Sequence, residues 1–350
     1  MRYTIEIKNR LNWIDWAKAI AISLVVFGHI PMSPDNFIQK FITNYHMPLF
    51  FLISGYLTKK ECFNINTIRK YWHTLIIPYI FYNLIFYPYW IVRHNVDVPN
   101  AVISDYIKPI IGIFFLQLHT PISSPLNEVT WFVAVLLIMK LVLSITYLYK
   151  NGDLFLILLS LICALLYIYN QQNMVFTNLP ITGLIRCMPF FIIGHFCKRK
   201  NIIPLEPNKY DYFVCAIGIT GSFFSYEYLL HYTPTITIYA LFYLCAFVTV
   251  IGTISLCRIF DKTRSTIIEN ISLGTIVIMG LHWMLIGSTN YVLQKLLGLS
   301  HGITYPLFIT IVLTIFFDSI IYPIIILFKN KYPFLLGKDI KKNQHNPLQN

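Results

Sequence analysis

Three ionisable side chains, Asp15, Lys18 and His29, lie in an otherwise apolar stretch of the sequence, residues 13–30. Ionisable groups are costly inside a bilayer and usually face the protein interior or a water-filled path. On a helix, Asp15 and His29 would be about 21 Å apart along the axis and on nearly the same face. Because a neutral imidazole is a general base near neutral pH, His29 is predicted to be catalytic. At that distance Asp15 is expected to hold Lys18 or Arg10 rather than His29. Simple anchoring of the helix at both interfaces is the alternative.

Further polar side chains at the ends of apolar stretches are predicted to bind the substrate. His46 lies near the start of Y-H-M-P-L-F-F-L-I-S-G-Y (45–56), and a short connector brings it to the membrane face where His29 lies. Asn127 and Trp131 open a later stretch with N-E-V-T-W-F, and His282 lies inside G-L-H-W-M-L. Interfacial anchoring of His46 and Trp131, and a core role for His282, are the alternatives.

Arg186 is predicted to be catalytic because it lies in the middle of the apolar segment I-T-G-L-I-R-C-M-P-F-F-I-I-G-H. A mid-span arginine is expensive and needs a counter-charge or water. It is expected to stabilise an oxyanion or to hold a phosphate of the acceptor. Asp318, in the last apolar stretch, is a candidate partner for a buried cation.

A cluster of cations precedes the third apolar stretch, in I-R-K-Y-W-H-T-L-I-I-P-Y (68–79). Arg69, Lys70 and His73 form this cluster, and Arg10 stands before the first stretch. Guanidinium groups suit bidentate contacts to phosphate, so these four residues are predicted to bind a phosphate-bearing co-substrate. Ordinary anchoring by positive charge is the alternative.

The composition indicates a polytopic membrane protein. Of 350 residues, 56% are hydrophobic and 12% are charged, and the mean hydropathy is +0.61; soluble domains carry about 25% charged residues. The predicted fold is an all-α membrane bundle of about ten transmembrane helices (1–330) followed by a polar cytoplasmic tail (331–350). The apolar region 105–118 is expected to be a short or re-entrant segment. The predicted spans, each near the roughly 20 residues needed to cross a bilayer, are 13–30, 40–58, 71–91, 129–149, 153–170, 180–197, 210–230, 236–257, 271–295 and 303–328.

The distribution of charge predicts the orientation. Most of the 27 Lys and Arg residues fall on one side when the connectors are assigned alternately, which places both termini in the cytoplasm. The net charge of +12 is thus explained by topology and lipid headgroups, and no nucleic-acid partner is expected. The 7 cysteines include no C-x-x-C pair, so neither a disulfide framework nor a metal site is predicted.

Taken together, these segments resemble the acyltransferase 3 family of integral-membrane acyltransferases. The resemblance extends from about Arg10 to Phe328. It is strongest in W-I-D-W-A-K-A-I-A-I-S-L-V-V-F-G-H followed by H-M-P-L-F-F-L-I-S-G-Y. The branch that acts on surface polysaccharides, similar to fucose O-acetylases, looks closest.

The resemblance implies transfer of an acyl group, usually acetyl from acetyl-CoA, to a hydroxyl of a surface polysaccharide or its lipid-linked precursor. Lipopolysaccharide and capsule are examples of such acceptors. It implies a multi-pass protein of the bacterial inner membrane that uses acetyl-CoA as a co-substrate and holds no permanent cofactor. The family's histidine, acid, leading arginine and basic patch correspond to His29, Asp15, Arg10 and Arg69, so the resemblance implies that Asp15 is catalytic together with His29. A common arginine of the first helix is replaced by Lys18. The alternative function is a transporter or flippase for a glycan or its lipid carrier, which would not consume acyl-CoA.

Overall fold

The computed structural model describes residues 11–204, 206–299 and 302–338, and these residues form helices without any strand. The all-α prediction is therefore confirmed for this part of the chain. Two π-helical turns, Trp72–Ile76 and Ile217–Gly221, join neighbouring helices into continuous rods. The α-helices are α1 (Asn12–His29), α2 (Phe37–Leu57), α3 (Ile65–Tyr71), α4 (Ile77–Asp97), α5 (Ile103–Phe114), α6 (Trp131–Thr146), α7 (Gly152–Asn173), α8 (Leu179–Arg199), α9 (Lys209–Ala216), α10 (Ser222–Leu229), α11 (Ile236–Ile259), α12 (Thr266–Leu273), α13 (Thr275–Leu297) and α14 (Leu307–Lys331).

Every predicted span falls on one of these helices or rods, and in the described part of the chain seven segments are long and apolar enough to cross a membrane. The chain is therefore a multi-pass membrane protein. Helices α1, α2 and the rod formed by α9 and α10 are not among the seven; polar side chains such as Asp15, Lys18 and His29 lower the apolarity of α1. The total of ten spans and the orientation of the termini stay predictions. The seven segments are Ile65–Asp97, Glu128–Thr146, Gly152–Asn173, Leu179–Arg199, Ile236–Lys262, Thr275–Leu297 and Leu307–Lys331.

Helix α1 lies at the centre of the bundle, packed against α2, α11, α12, α13 and α14. Its residues Trp13, Ala17 and Ile22 are fully buried. This central position explains how a helix that carries three ionisable groups is tolerated, because its polar side chains meet protein rather than lipid.

Helices α2 and α8 approach each other so closely that their backbones touch. A Cβ atom added at Gly55 would lie 1.9 Å from the carbonyl oxygen of Phe191, and one at Gly194 would lie 2.0 Å from that of Leu52. Small residues at such positions let membrane helices pack by van der Waals contact. The pair fixes the position of α2, and with it His46.

The outer helices present apolar side chains to the surroundings. Only 17% of the apolar window of α7 and 28% of that of α14 are buried within the protein, as expected for helices that face lipid. Helix α5 lies in the region 105–118, for which a short segment is predicted.

The chain after α14 folds back onto the bundle instead of leaving it. A 3₁₀ turn, Pro333–Leu336, is largely buried, and the Tyr82 hydroxyl donates to the carbonyl of Leu335 at 3.0 Å. The predicted polar tail thus begins with a packed turn at 333–336; its residues 339–350 lie outside the described residues.

Candidate active site

A pair of histidines from distant parts of the sequence lies between α1 and α13. His29 Nδ1 and His282 Nε2 are 3.3 Å apart. His282 is 0% exposed, whereas His29 is only partly buried. The indole ring of Trp283 meets the His29 ring edge-on at a centroid distance of 5.2 Å. The structure therefore places His282 behind His29 as a neighbour that orients it.

The hydrogen bonds fix which ring nitrogen of each histidine carries the proton. His29 Nδ1 is 2.8 Å from the carbonyl oxygen of Val25, and His282 Nδ1 is 2.8 Å from that of Ile278. A carbonyl oxygen only accepts, so both Nδ1 atoms donate. In the neutral rings, the single His29 Nδ1 proton is shared between the Val25 carbonyl at 2.8 Å and His282 Nε2 at 3.3 Å, and His29 Nε2 has a lone pair available to take a proton from a substrate.

His46 has the same internal arrangement and lies on the other side of the end of α1. Its Nδ1 donates to the carbonyl of Ile42 at 2.9 Å, so its Nε2 is also the unprotonated nitrogen of the neutral ring. A Cβ atom added at Gly28 would lie 3.9 Å from the His46 ring. His46, a predicted substrate-binding residue, is thus placed next to the residue that precedes His29.

A cavity of about 460 Å³, called here the Trp283 cavity, opens on one side of the histidine pair. Aromatic residues line it together with carboxylates, amides, Arg93 and His94. His94 stacks on Trp90 with ring centroids 4.4 Å apart, and its buried Nε2 has no hydrogen-bond partner among the described residues. Trp283 lies between this cavity and His29: it lines the cavity and its ring meets the His29 ring, whereas neither His29 nor His282 is among the residues that line the cavity.

A second, narrower cavity of about 180 Å³, the lysine cavity, lies at the opposite end of the same helices. Lys18, Lys140 and Lys338 line it, along with hydroxyls and apolar side chains. Met279 of α13 lines the lysine cavity, and Gly287 lines the Trp283 cavity. His282 lies between Met279 and Gly287, about 4.5 Å from Met279 and about 7.5 Å from Gly287 along the helix axis. The histidine pair therefore separates two cavities, one of them rich in cations.

Three residues predicted to bind phosphate, Arg69, Lys70 and His73, do not line the lysine cavity, although Thr74 and Leu75, which follow them in the sequence, do. Arg69 and His73 are exposed. Lys70 pairs with Glu61 at 2.7 Å. Arg10 lies outside the described residues. The structure brings Arg69, Lys70 and His73 to one end of the bundle without placing them in the cavity.

Asp15 and Lys18 are both directed at the last turn of α12. Ser272 donates its hydroxyl to Asp15 Oδ1 at 2.6 Å, and Lys18 Nζ donates to the Ser272 carbonyl at 2.5 Å. Asp15 is only 5% exposed and is far along α1 from His29. Its contacts fix the position of α1 against α12, so any catalytic effect of Asp15 acts at a distance from His29.

Arg186 donates to the backbone of α2. Its Nη2 lies 2.5 Å from the Asn44 carbonyl oxygen and 3.2 Å from that of Thr43. Residue 48 is a proline within the helix, and it lacks the N–H that would otherwise bond to the Asn44 carbonyl. Arg186 thus satisfies the acceptor that Pro48 leaves open, which favours a structural role. Its predicted role in catalysis remains a prediction.

A double-mutant experiment distinguishes a structural role of Arg186 from a catalytic one. We expect Arg186→Met to lower the stability of the detergent-purified protein by about 1–3 kcal/mol, the cost of an unsatisfied buried acceptor. Pro48→Ala restores an N–H to α2, so the double variant should recover part of the thermal midpoint and its activity. A double variant that is stable but inactive would assign Arg186 to catalysis.

Asn127 and Trp131 both lie near the site, but they have different neighbours. Asn127 is 0% exposed and donates through Nδ2 to the Gly280 carbonyl at 3.2 Å, close to His282, while its Oδ1 has no partner among the described residues. Trp131 packs against Gly183 and lines a third cavity. Asp318 accepts a hydrogen bond from Ser23 at 2.6 Å rather than pairing with Arg186.

Sequence reasoning did not identify Lys140 and Lys338 as a site, nor Trp283 as the neighbour of His29. Lys140 carries the only available signal, since a lysine within an apolar stretch is expensive. Lys338 lies beyond the last span, where a lysine is unremarkable.

No curated protein and no solved structure shows significant similarity to the chain. The family model described as an acyltransferase domain matches residues 11–328, nearly the whole length of the bundle. The match agrees with the resemblance seen in the α1 and α2 segments. The chain is therefore a membrane acyltransferase that belongs to the acyltransferase 3 family.

Proposed function

We propose that this protein is an O-acetyltransferase of the bacterial inner membrane. It moves an acetyl group from acetyl-CoA to a hydroxyl of a surface polysaccharide, such as lipopolysaccharide or capsule, or of its lipid-linked precursor. The observation that carries the proposal is the His29–His282 pair between a cation-lined cavity and an aromatic cavity.

In the proposed reaction, His29 Nε2 takes the proton of the acceptor hydroxyl as its oxygen attacks the thioester carbonyl. The new C–O bond forms a tetrahedral intermediate, and the C–S bond then breaks. The CoA thiolate leaves with the proton from His29, so the products are the ester and free CoA thiol. The charged imidazolium formed in between is stabilised through Nδ1 by the Val25 carbonyl and His282 Nε2, which are the right kind of acceptors for this task.

The lysine cavity supports binding of a phosphate-bearing donor. Three lysines are a strong local source of positive charge, and lysine is a common phosphate ligand. The volume of about 180 Å³ is smaller than that of pockets that enclose a whole ligand. The donor's slender acyl-bearing arm would enter this cavity while the phosphates stay at the lysines. Lys18 and His29 are about 16 Å apart along α1, a gap that a long arm must bridge.

The Trp283 cavity supports a sugar acceptor. Tyr89 and Trp283 offer aromatic surface for the apolar C–H face of a sugar, and Asn290 and Gln294 offer amides for its hydroxyls. Under the predicted topology, this cavity opens on the outer side of the membrane and the lysine cavity on the cytoplasmic side. Such an arrangement lets a cytoplasmic donor meet an acceptor outside.

The donor site is tested by Lys140→Ala. We expect the KM for acetyl-CoA to rise about 10-fold with a small change in kcat, because hydrogen bonds to charged groups contribute about 1.5–3 kcal/mol. Arg69→Ala should have a smaller effect, since Arg69 does not line the cavity. The measurement is transfer of radiolabelled acetyl to de-esterified surface glycan in purified membranes at varied acetyl-CoA.

Lys150→Ala is the matched control, because Lys150 is exposed just after α6 and lines none of the cavities described above. Lys140→Arg, which keeps the charge, should retain most of the wild-type affinity. A Lys140→Ala curve identical to wild type would remove the lysine cavity as the donor site. Absence of any acetyl-CoA consumption by the wild type would favour the transporter alternative.

A further inference from the structure

The third cavity, called the Trp131 cavity, has a volume of about 350 Å³ and adjoins the Trp283 cavity. Gln117, His119, Trp131 and the segment 177–180 line it. Pro125 and Glu128 line both cavities. Each volume lies within the range of about 300–1,000 Å³ found for ligand sites. The surface therefore offers two ligand-sized chambers divided by one shared wall.

Buried hydrogen bonds hold the shared wall in place. Gln117, only 1% exposed, accepts from the Leu126 backbone N–H at 2.8 Å and donates to Asn83 at 2.9 Å. Asn127, between Leu126 and Glu128, is fixed to α13 by its bond to Gly280. Glu128 thus projects from a rigid segment, which is what a specificity-determining side chain needs.

The polar groups around the wall suit hydroxyl-rich ligands. Glu128 is exposed, and no ion pair or hydrogen bond of its side chain is found among the described residues. A carboxylate is an acceptor only and binds hydroxyl donors strongly. In the Trp283 cavity, the buried Nε2 of His94 also has no partner in the described part of the chain. Both chambers also offer aromatic rings, Trp131 in one and Trp90 in the other.

We infer that the acceptor is a glycan chain of at least two linked sugars, bound across both cavities. The sugar that receives the acyl group lies in the Trp283 cavity, whose wall residue Trp283 packs against His29. Its neighbour in the chain lies in the Trp131 cavity, and Glu128 binds hydroxyls of both at the link between them. This inference rests on the proposed function. It adds the minimum length of the acceptor and the residues that recognise that length.

Acceptor length is the direct test. Surface glycan of the source cell is de-esterified, partly hydrolysed and separated into fractions of one, two, three and four sugars, and kcat/KM is measured with each fraction at saturating acetyl-CoA. We expect kcat/KM to rise about 10-fold or more from one sugar to two or three, as a second set of charge-assisted hydrogen bonds predicts. Beyond the length that fills both cavities the rise should stop.

Thr177→Trp fills the Trp131 cavity, of which Thr177 forms part. We expect this variant to lose the preference for longer fragments, so that its ratio of long to short kcat/KM falls toward one. Ile122→Trp is the matched control. Ile122 lies in the loop between α5 and α6, is 57% exposed and lines neither cavity. The same added bulk there should leave the ratio at its wild-type value. Thr177→Ala, which adds no bulk, should also keep a ratio well above one.

The outcomes distinguish failure of the two-sugar site from failure of the proposed acetyl transfer. Transfer to every fraction with equal kcat/KM would overturn the two-sugar site and leave the proposed acetyl transfer intact. A strong preference for length that Thr177→Trp does not change would also overturn it, because the second sugar would then bind elsewhere. Lack of acetyl transfer to any fraction would instead overturn the proposed function.

Discussion

Replacing His29 by alanine is expected to lower acyl transfer by about 100- to 10,000-fold, the usual effect of removing a general base. Both Nε2 atoms of the pair are unprotonated in the neutral rings, but His282 Nε2 faces His29 Nδ1, whereas His29 Nε2 has no hydrogen-bond partner among the described residues. The measurement is acetyl ester formed on the surface glycan, together with the rate of labelled acetyl transfer in purified membranes. KM for acetyl-CoA should change little, because the lysine cavity lies elsewhere along α1.

The amount of His29→Ala protein in the membrane must match the wild type, since His29 also packs against Trp283. His231→Ala is a useful control, because His231 likewise donates to the carbonyl four residues before it, yet it is exposed and far along the chain from the site. His46→Ala should have a weaker effect than His29→Ala. Full acylation by a well-expressed His29→Ala variant would exclude His29 from the mechanism.

Replacing His282 by leucine is expected to lower kcat by roughly 10- to 100-fold with little change in either KM. His282 Nε2 accepts the His29 Nδ1 proton, and this bond strengthens when His29 becomes charged during the reaction. Bonds to charged groups contribute about 1.5–3 kcal/mol, and each 1.36 kcal/mol is worth about tenfold in rate. The amount of active protein is measured for each variant, because a loss of packing that merely reduces this amount would also lower the apparent kcat at unchanged KM.

His282→Gln provides the matched comparison, because a glutamine carbonyl can accept the same proton. We expect its kcat to lie between those of His282→Leu and the wild type. Thermal midpoints of both purified variants show whether the buried site, 0% exposed at His282, still folds. Equal rates for the leucine and glutamine variants would mean that His282 supports the fold and not the chemistry.

The membrane class was predictable from composition, because a bilayer demands about 20 apolar residues per helix wherever the chain crosses it. Each of the ten predicted spans falls on a helix or rod, but only seven segments among the described residues are by themselves apolar and long enough to cross a bilayer. The π-helical turn Trp72–Ile76 was not predictable, since π-helical geometry is a local distortion that no simple pattern of apolar residues marks.

Arg186 shows what the free-energy cost of a charge in an apolar helix can predict from sequence and what it cannot. The sequence correctly required a partner for a guanidinium in an apolar helix, and a carboxylate such as Asp318 was the natural candidate. The structure instead supplies backbone carbonyls of α2 next to Pro48. Backbone groups are present at every residue, so only the packing of α8 on α2 reveals that they are accessible.

The sequence by itself determined that His29 ends α1, and that this helix can carry ionisable groups only if protein surrounds it. The sequence motifs also determined the family. It could not determine what stands beside His29. His282 lies 253 residues away, and the lysine cavity draws on α1, α6 and the chain after α14. Contacts between helices distant in sequence depend on which faces pack together and at what depth, a property of the whole bundle. Only the tertiary structure therefore shows that His29 lies beside His282 and that His282 lies, along α13, between the levels of the two cavities.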